Sequence, residues 1–220
     1  MKRMKNLYGC AGLIAMAGLF MLNPADAAEK GERPKLLVPM MTAAPTIDGN
    51  MAEGEWDKAA AVTGFIGATG TYGKVMAPKE SRIYLGHDED TIYIAVWTQL
   101  APGEKPSRQR RRRDSKVFMD RQQFEVWLTP PTEGTKTAYQ MIGNAYGALY
   151  DMKHVPSLGI QNVGWNAEMR FENTYETGKY WTAELAIPKD QFTDPDHYAP
   201  DKPWGGMVAV AWPQRSWPFT

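Results

Sequence analysis

The sequence of 220 residues has the length of one all-β domain and leaves little room for a second. Its 25 basic and 25 acidic side chains balance, so charge gives no reason to expect nucleic acid as the main partner. Eight Trp and ten Tyr are a heavy aromatic load, and most of these rings are expected in the core.

Residues 1–27 have the pattern of a secretory signal peptide. Basic residues at positions 2, 3 and 5 precede an apolar stretch at 11–22, which is too short to span a bilayer comfortably. Ala25-Asp26-Ala27 follows as a small-x-small cleavage site. We therefore expect cleavage near Ala27 and export to the periplasm, the medium or the cell surface, with no membrane span afterwards. Cleavage removes Cys10, the single cysteine, which excludes a disulfide or a cysteine nucleophile from the mature chain.

Period-two alternation dominates the rest of the chain. A polar lead-in at 28–44 contains an apolar run at Leu36–Met41 that predicts a first strand, and Ala52–Ala60 predicts a single helical turn. The main strands are predicted at Arg82–Leu85, Thr91–Trp97, Phe124–Thr129, Ala138–Asn144, Ala148–Met152, Trp165–Glu172, Tyr180–Ile187 and Met207–Trp212. No stretch has sustained helical periodicity, so residues 45–220 are predicted to form an all-β, jelly-roll-like sandwich of two antiparallel sheets.

Polar and aromatic side chains coincide on two neighbouring predicted strands. Glu125 and Trp127 share one face of their strand, while Gln140 and Asn144 share one face of the next. A carboxylate and amides can bind the hydroxyl groups of a sugar, and an indole can cover the apolar face of a pyranose ring. These strands therefore predict a carbohydrate site. The alternative is that Glu125 is a satisfied polar group between the sheets and Trp127 is core.

The order of several motifs resembles the family 9 carbohydrate-binding modules and their DOMON-like relatives. Ile47-Asp48-Gly49 and Glu55-Trp56 are followed by RIYLGHDEDTIYIAVW at 82–97 and RRDSKVFMDRQQFEVWLTP at 112–130. AYQMIGNAYGALYD, WNAEMRF and YWTAELAIP come next in the same order. The resemblance covers nearly the whole mature chain. It implies a β-sandwich that holds the end of a plant-type polysaccharide or an oligosaccharide, usually attached to or associated with a glycoside hydrolase.

The resemblance also assigns roles to single residues. It places Glu125 and Asn144 at polar sugar contacts and Phe118 or Met119 near one wall of an aromatic clamp. Trp212 and Trp217 lie where the second wall is expected, and Trp217 is the candidate chosen for the site. Because the chain stops at Thr220, before the last strand of such sandwiches, the module is expected to be truncated at its C-terminus.

Two charged features have a functional and a structural interpretation. Asp48, Asp88 and Asp90 occupy turns where calcium could bind, and members of the family use such ions to fix loops; turns without a metal are the alternative. The run Arg108–Arg113 could bind an anionic glycan or phosphate, or form a solvated loop.

The sequence predicts binding and no catalytic residue. The three His show no metal-ligand spacing and no Gly-x-Ser-x-Gly elbow is present, although a pair of glycosidase carboxylates is not excluded. We therefore expect an exported, non-catalytic carbohydrate-binding module. The alternatives are a haem-binding DOMON-like electron-transfer module, for which 13 Met and three His supply ligands, and a surface or adhesion module without a small ligand.

Overall fold

Two five-stranded antiparallel sheets form the protein. The computed structural model describes residues 34–66, 76–77, 79–106, 112–115, 122–192, 198–199 and 201–211. The chain divides into the units Met1–Lys35 and Leu36–Thr220, and the strands of the described residues lie in the second unit. The strands are β1 (Ala60–Val62), β2 (Ser81–His87), β3 (Thr91–Gln99), β4 (Gln123–Thr129), β5 (Ala138–Asn144), β6 (Leu149–Val155), β7 (Ile160–Asn162), β8 (Arg170–Glu176), β9 (Tyr180–Pro188) and β10 (Gly205–Ala211). The predicted all-β sandwich is confirmed.

The strand order places the middle of each sheet in the core. The first sheet has the order β1-β2-β3-β9-β8, and the second has the order β10-β4-β5-β6-β7. Side chains alternate across each strand, so Ile94 and Val96 of the first sheet and Phe124 and Val126 of the second are fully buried in one shared cluster. Gly143 is required beside Phe124, because a Cβ atom at Gly143 would lie 2.4 Å from the phenyl ring.

The outer face of the first sheet is covered by the chain segment that precedes β1. Ile47 and Trp56 pack there against Tyr93 and Ala95 in a second buried cluster. The segment is fixed by Glu184, a fully buried carboxylate on β9. Its Oε2 accepts hydrogen bonds from the N–H groups of Gly49 (2.8 Å) and Asp48 (3.2 Å), and its Oε1 accepts one from the Trp56 indole (2.9 Å).

The Ile47-Asp48-Gly49 motif has a steric reason for its glycine. Gly49 has a φ of +86°, and a Cβ atom there would lie 2.7 Å from the backbone of Asn173. The Thr182 hydroxyl donates to the Gly49 carbonyl at 2.6 Å. A side chain at this position would therefore lift the turn away from the sheet.

Several predicted elements differ from the structure. The predicted strand Leu36–Met41 is reduced to one bridge between Met40 and His87. The predicted helical turn Ala52–Ala60 is instead a series of four-residue turns between Ala52 and Ala59, and Ala60 already belongs to β1. Residues 165–169 alternate between core and solvent without pairing, so β8 begins only at Arg170. The short strands β1 and β7 were not predicted, because three residues carry too little periodicity.

Candidate functional site

The predicted site residues Glu125, Trp127 and Gln140 meet on the outer face of the second sheet. On β4, Glu125 and Trp127 alternate with the buried Phe124 and Val126, and therefore point away from the core. Trp127 lies directly opposite Gln140 on β5. All three predicted side chains are half-buried, so the sheet holds them while solvent can still reach them.

A chain of hydrogen bonds joins these side chains to a histidine on β6. The Trp127 indole N–H and the Gln140 amide both donate to Oε1 of Glu125, at 2.5 Å and 2.7 Å. Because the Gln140 amide nitrogen faces the carboxylate, its oxygen faces Nε2 of His154 at 3.1 Å. That contact requires His154 to carry a proton on Nε2. Oε2 of Glu125 makes no hydrogen bond with the described residues.

His154 also supports the indole ring. The ring centroids of Trp127 and His154 are 4.8 Å apart with an angle of 36° between their planes. Burial lowers the pKa of His154, which favours the neutral imidazole at neutral pH. On the other side of β4, β10 places Met207 opposite Trp127 and the small Ala209 opposite Glu125. The carboxylate therefore has little side-chain bulk beside it on that strand.

Asn144 shares the face but has a different environment. Its side chain is buried, and its Oδ1 accepts hydrogen bonds from the N–H groups of Tyr146 (2.9 Å) and Ala148 (3.0 Å). The oxygen thus closes the turn between β5 and β6. The role of Asn144 as a sugar contact stays a prediction. Phe118 and Trp217 lie outside the described residues.

His154 is the member of the cluster that sequence reasoning missed. The predicted strand ended at Met152, whereas β6 continues to Val155 and pairs His154 with Ala138. The alternation along β6 does indicate which face His154 occupies, because residues 150, 152 and 154 point to the same side of the strand.

One arginine of the run Arg108–Arg113 forms an ion pair inside the fold. Arg113 forms an ion pair with Oδ2 of the fully buried Asp151 and donates to the Ala167 carbonyl at 2.9 Å and to Oδ1 of Asn166 at 2.7 Å. Burial raises the pKa of Asp151, while the Ala167 N–H and the Arg113 charge act in the opposite direction. The Arg113 guanidinium therefore binds the Asp151 carboxylate and the neighbouring residues Asn166 and Ala167. Residues 107–111 lie outside the described part.

The proposed calcium ligands are not assembled into a metal site. Oδ1 of Asp48 accepts from the N–H of Asn50, and the Asp88 carboxylate accepts from the N–H groups of Asp90 and Thr91 and from the Tyr93 hydroxyl. Among the described residues, no three acidic, histidine or cysteine side chains form a group that could hold a metal ion. The three aspartates thus do not fit a shared calcium ion, which needs six to eight oxygen ligands.

A cleft of about 570 Å³ lies apart from the Glu125 cluster. It is bordered by the segment before β1 and by strands of the first sheet, and its lining includes Pro45, Ile47, Tyr93, Arg170 and Ala186. None of the predicted site residues in the described part of the chain lines it. No helix in the described part of the chain has the length and hydropathy of a membrane span.

Comparison with known proteins shows a likeness of fold. No protein-family model matches the sequence, and no curated protein matches it. The structure is similar to a crystal structure from Bacteroides uniformis called a "putative carbohydrate-binding protein", with a TM-score of 0.57, 14% identity, and coverage of 80% of this chain and 82% of that chain. The two proteins share a fold. The resemblance noted in the sequence is thus supported at the level of the β-sandwich.

Two structures of a family 9 carbohydrate-binding module from Caldicellulosiruptor kristjanssonii also align with this chain. The complex with cellotriose has a TM-score of 0.49 at 12% identity, with coverage of 81% of this chain and 78% of that chain. The complex with glucose has a TM-score of 0.45 at 12% identity, with coverage of 79% and 76%.

Proposed function

We propose that this chain binds carbohydrate on the outer face of β4, β5 and β6, with Glu125, Trp127 and Gln140 as the contacts. The observation that carries this proposal is the arrangement around Glu125. Among the described residues, both hydrogen bonds to Glu125 converge on Oε1, so Oε2 is left as an oriented acceptor beside a half-buried indole. A sugar can place a hydroxyl on Oε2 and its apolar C–H face near the ring.

The network fixes these groups before a ligand arrives. The Trp127 indole is held at its N–H by Glu125 and on its ring by His154, and Gln140 is held at both ends of its amide. Binding therefore costs little side-chain entropy, which favours affinity for a small polar ligand. Among the described residues, the cluster contains one carboxylate, whereas glycoside hydrolysis ordinarily uses two, which is in keeping with the proposed non-catalytic role.

The fold likeness supports the same function. The Bacteroides protein is called carbohydrate-binding in its description, qualified there as putative, and this chain covers most of its length. We further propose that the chain is exported after cleavage of residues 1–27 and binds plant-type polysaccharide or oligosaccharide, alone or together with an attached or associated glycoside hydrolase. The signal-like N-terminus and the motif order in the sequence support these finer proposals.

Calorimetric titration with xylo- and cello-oligosaccharides tests the site. In Glu125→Gln the new amide keeps its oxygen toward Trp127 and Gln140, and presents an NH₂ donor where Oε2 was. Replacing a charged hydrogen bond with a neutral contact should raise Kd about 5–10-fold, and loss of the ring in Trp127→Ala should raise it about fivefold.

Matched controls come from the first sheet. Trp97 is a half-buried tryptophan on its outer face, and Glu172 is an exposed glutamate on β8. Trp97→Ala and Glu172→Gln should bind like the parent. The proposal is rejected if folded Glu125→Gln and Trp127→Ala both bind as tightly as these controls. A Soret band in the purified protein would instead support the haem-binding alternative.

A further inference from the structure

The turn between β2 and β3 surrounds the ammonium group of a lysine from another strand. Lys189 directly follows β9, and its Nζ donates to the carbonyl oxygens of Asp88 (2.5 Å) and Glu89 (3.1 Å). Nζ also lies 3.3 Å from Nδ1 of His87. The backbone N–H of Lys189 donates to the Asp90 carbonyl at 2.8 Å. Three successive carbonyl groups of the turn are thus bound by one residue.

Of the three acidic side chains of the same turn, that of Asp88 is used by the fold at both carboxylate oxygens. Oδ1 of Asp88 accepts from the N–H groups of Asp90 (2.9 Å) and Thr91 (2.7 Å), and Oδ2 accepts from the Tyr93 hydroxyl at 2.5 Å. Burial alone would raise the pKa of Asp88, but these hydrogen bonds and the Lys189 charge lower it. A metal ion could use this carboxylate only by breaking the bonds that shape the turn.

We propose that Lys189 is the resident cation of the β2–β3 turn and that the turn folds without a metal ion. An ammonium group is a compact charge with three donors, and here it meets backbone oxygens of the kind that calcium would bind. The inference departs from the resemblance, which implied calcium at loops of this kind. It concerns the first sheet and is independent of the proposed sugar site on the second.

The position of Lys189 gives the contact a wider effect on the fold. The backbone of His87 is bonded to the segment before β1, through Met41 N–H to the His87 carbonyl (2.7 Å) and His87 N–H to the Pro39 carbonyl (3.1 Å). Lys189 therefore joins the end of β9 to a turn that also holds the N-terminal segment. Loss of its charge should loosen this end of the first sheet.

Thermal melting of the mature chain tests the proposal. Lys189→Met keeps the aliphatic stem and removes the ammonium, and should lower Tm by about 4–8 °C, because charge-assisted hydrogen bonds to two carbonyls are lost. Lys179→Met is the matched control, since Lys179 directly precedes β9 and forms an exposed ion pair with Glu176. That control should change Tm by less than about 2 °C. Millimolar calcium and excess EDTA should leave the Tm of the parent unchanged.

Either of two results overturns the proposal. One is a Lys189→Met variant that melts together with the Lys179→Met control. The other is a parent protein whose Tm rises with calcium, with that rise abolished by Asp88→Asn, because a metal ion would then use the turn. If Lys189→Met does not fold, Lys189→Gln retains a donor without the charge, and the same comparison is made with Lys179→Gln.

Discussion

Glu184 offers a direct test of how the N-terminal segment is held on the first sheet. In Glu184→Ala, the Gly49 N–H and the Trp56 indole N–H lose their acceptor inside the protein. Each unsatisfied buried donor costs about 1–3 kcal/mol. Removing a buried carboxylate returns part of its own desolvation cost, so we expect a net loss of about 2–5 kcal/mol. This is a large share of the roughly 5–15 kcal/mol that stabilises a typical domain.

The assay is urea unfolding, followed by tryptophan fluorescence and circular dichroism. Glu172 is the matched control, because it lies directly opposite Glu184 on β8 but is exposed. Glu172→Ala should change the free energy of unfolding by no more than about 0.5 kcal/mol. Glu184→Gln should fall between the two, at about 1–3 kcal/mol, because its amide nitrogen must face one of the donors. If Glu184→Ala were no less stable than Glu172→Ala, the carboxylate would not be what holds the segment.

Three further predictions follow from other parts of the chain. Gly143→Ala should lower the free energy of unfolding by about 1–3 kcal/mol in the same assay, because the added Cβ would lie 2.4 Å from the Phe124 ring; parent-like stability would show that the ring can shift. Burial raises the pKa of Glu184 above its ordinary 4.5, so the folded state holds a proton more tightly than the unfolded state. Stability should therefore decrease as pH rises from about 4.5 through the folded pKa, and Glu184→Gln should lack this part of the pH profile. Exported protein should have the intact mass of a chain cleaved near Ala27, and a mass that includes residues 1–27 would contradict the signal peptide.

Much of the second sheet could be predicted because its information is local. Period two placed Phe124 in the core and Glu125 and Trp127 outside it, and β5 has the predicted limits. Alternation places His154 on the same face as Tyr150 and Met152, but its proximity to Gln140 also depends on the register between β5 and β6, which the sequence alone does not give. A one-residue change in that register would move the imidazole to the other face.

The hydrogen-bond partners of buried polar side chains were harder to predict from the sequence. Alternation places Glu184 between Ala183 and Leu185, facing away from the main core, but its partners lie about 130 residues earlier in the chain. Lys189 and the turn at Asp88 are likewise about 100 residues apart. The environment of Asn144 was partly predictable. Asparagine side chains often form hydrogen bonds to the backbone of the next few residues, and such a bond competes with binding of a ligand.

The edge strands β8 and β10 differ in the charge of their side chains. On the outer strand β8, Arg170, Glu172 and Glu176 are exposed charges, which disfavour pairing with a second molecule. The outer strand β10 has the sequence GGMVAVA, with seven residues, no charge and a half-exposed Met207. Among the described strands, β10 pairs only with β4, and unpaired backbone groups on the outer side of such a strand can pair with another chain. Of the two seven-residue edge strands in the described sheets, β10 is the one suited to self-association at high concentration or to strand addition from a partner.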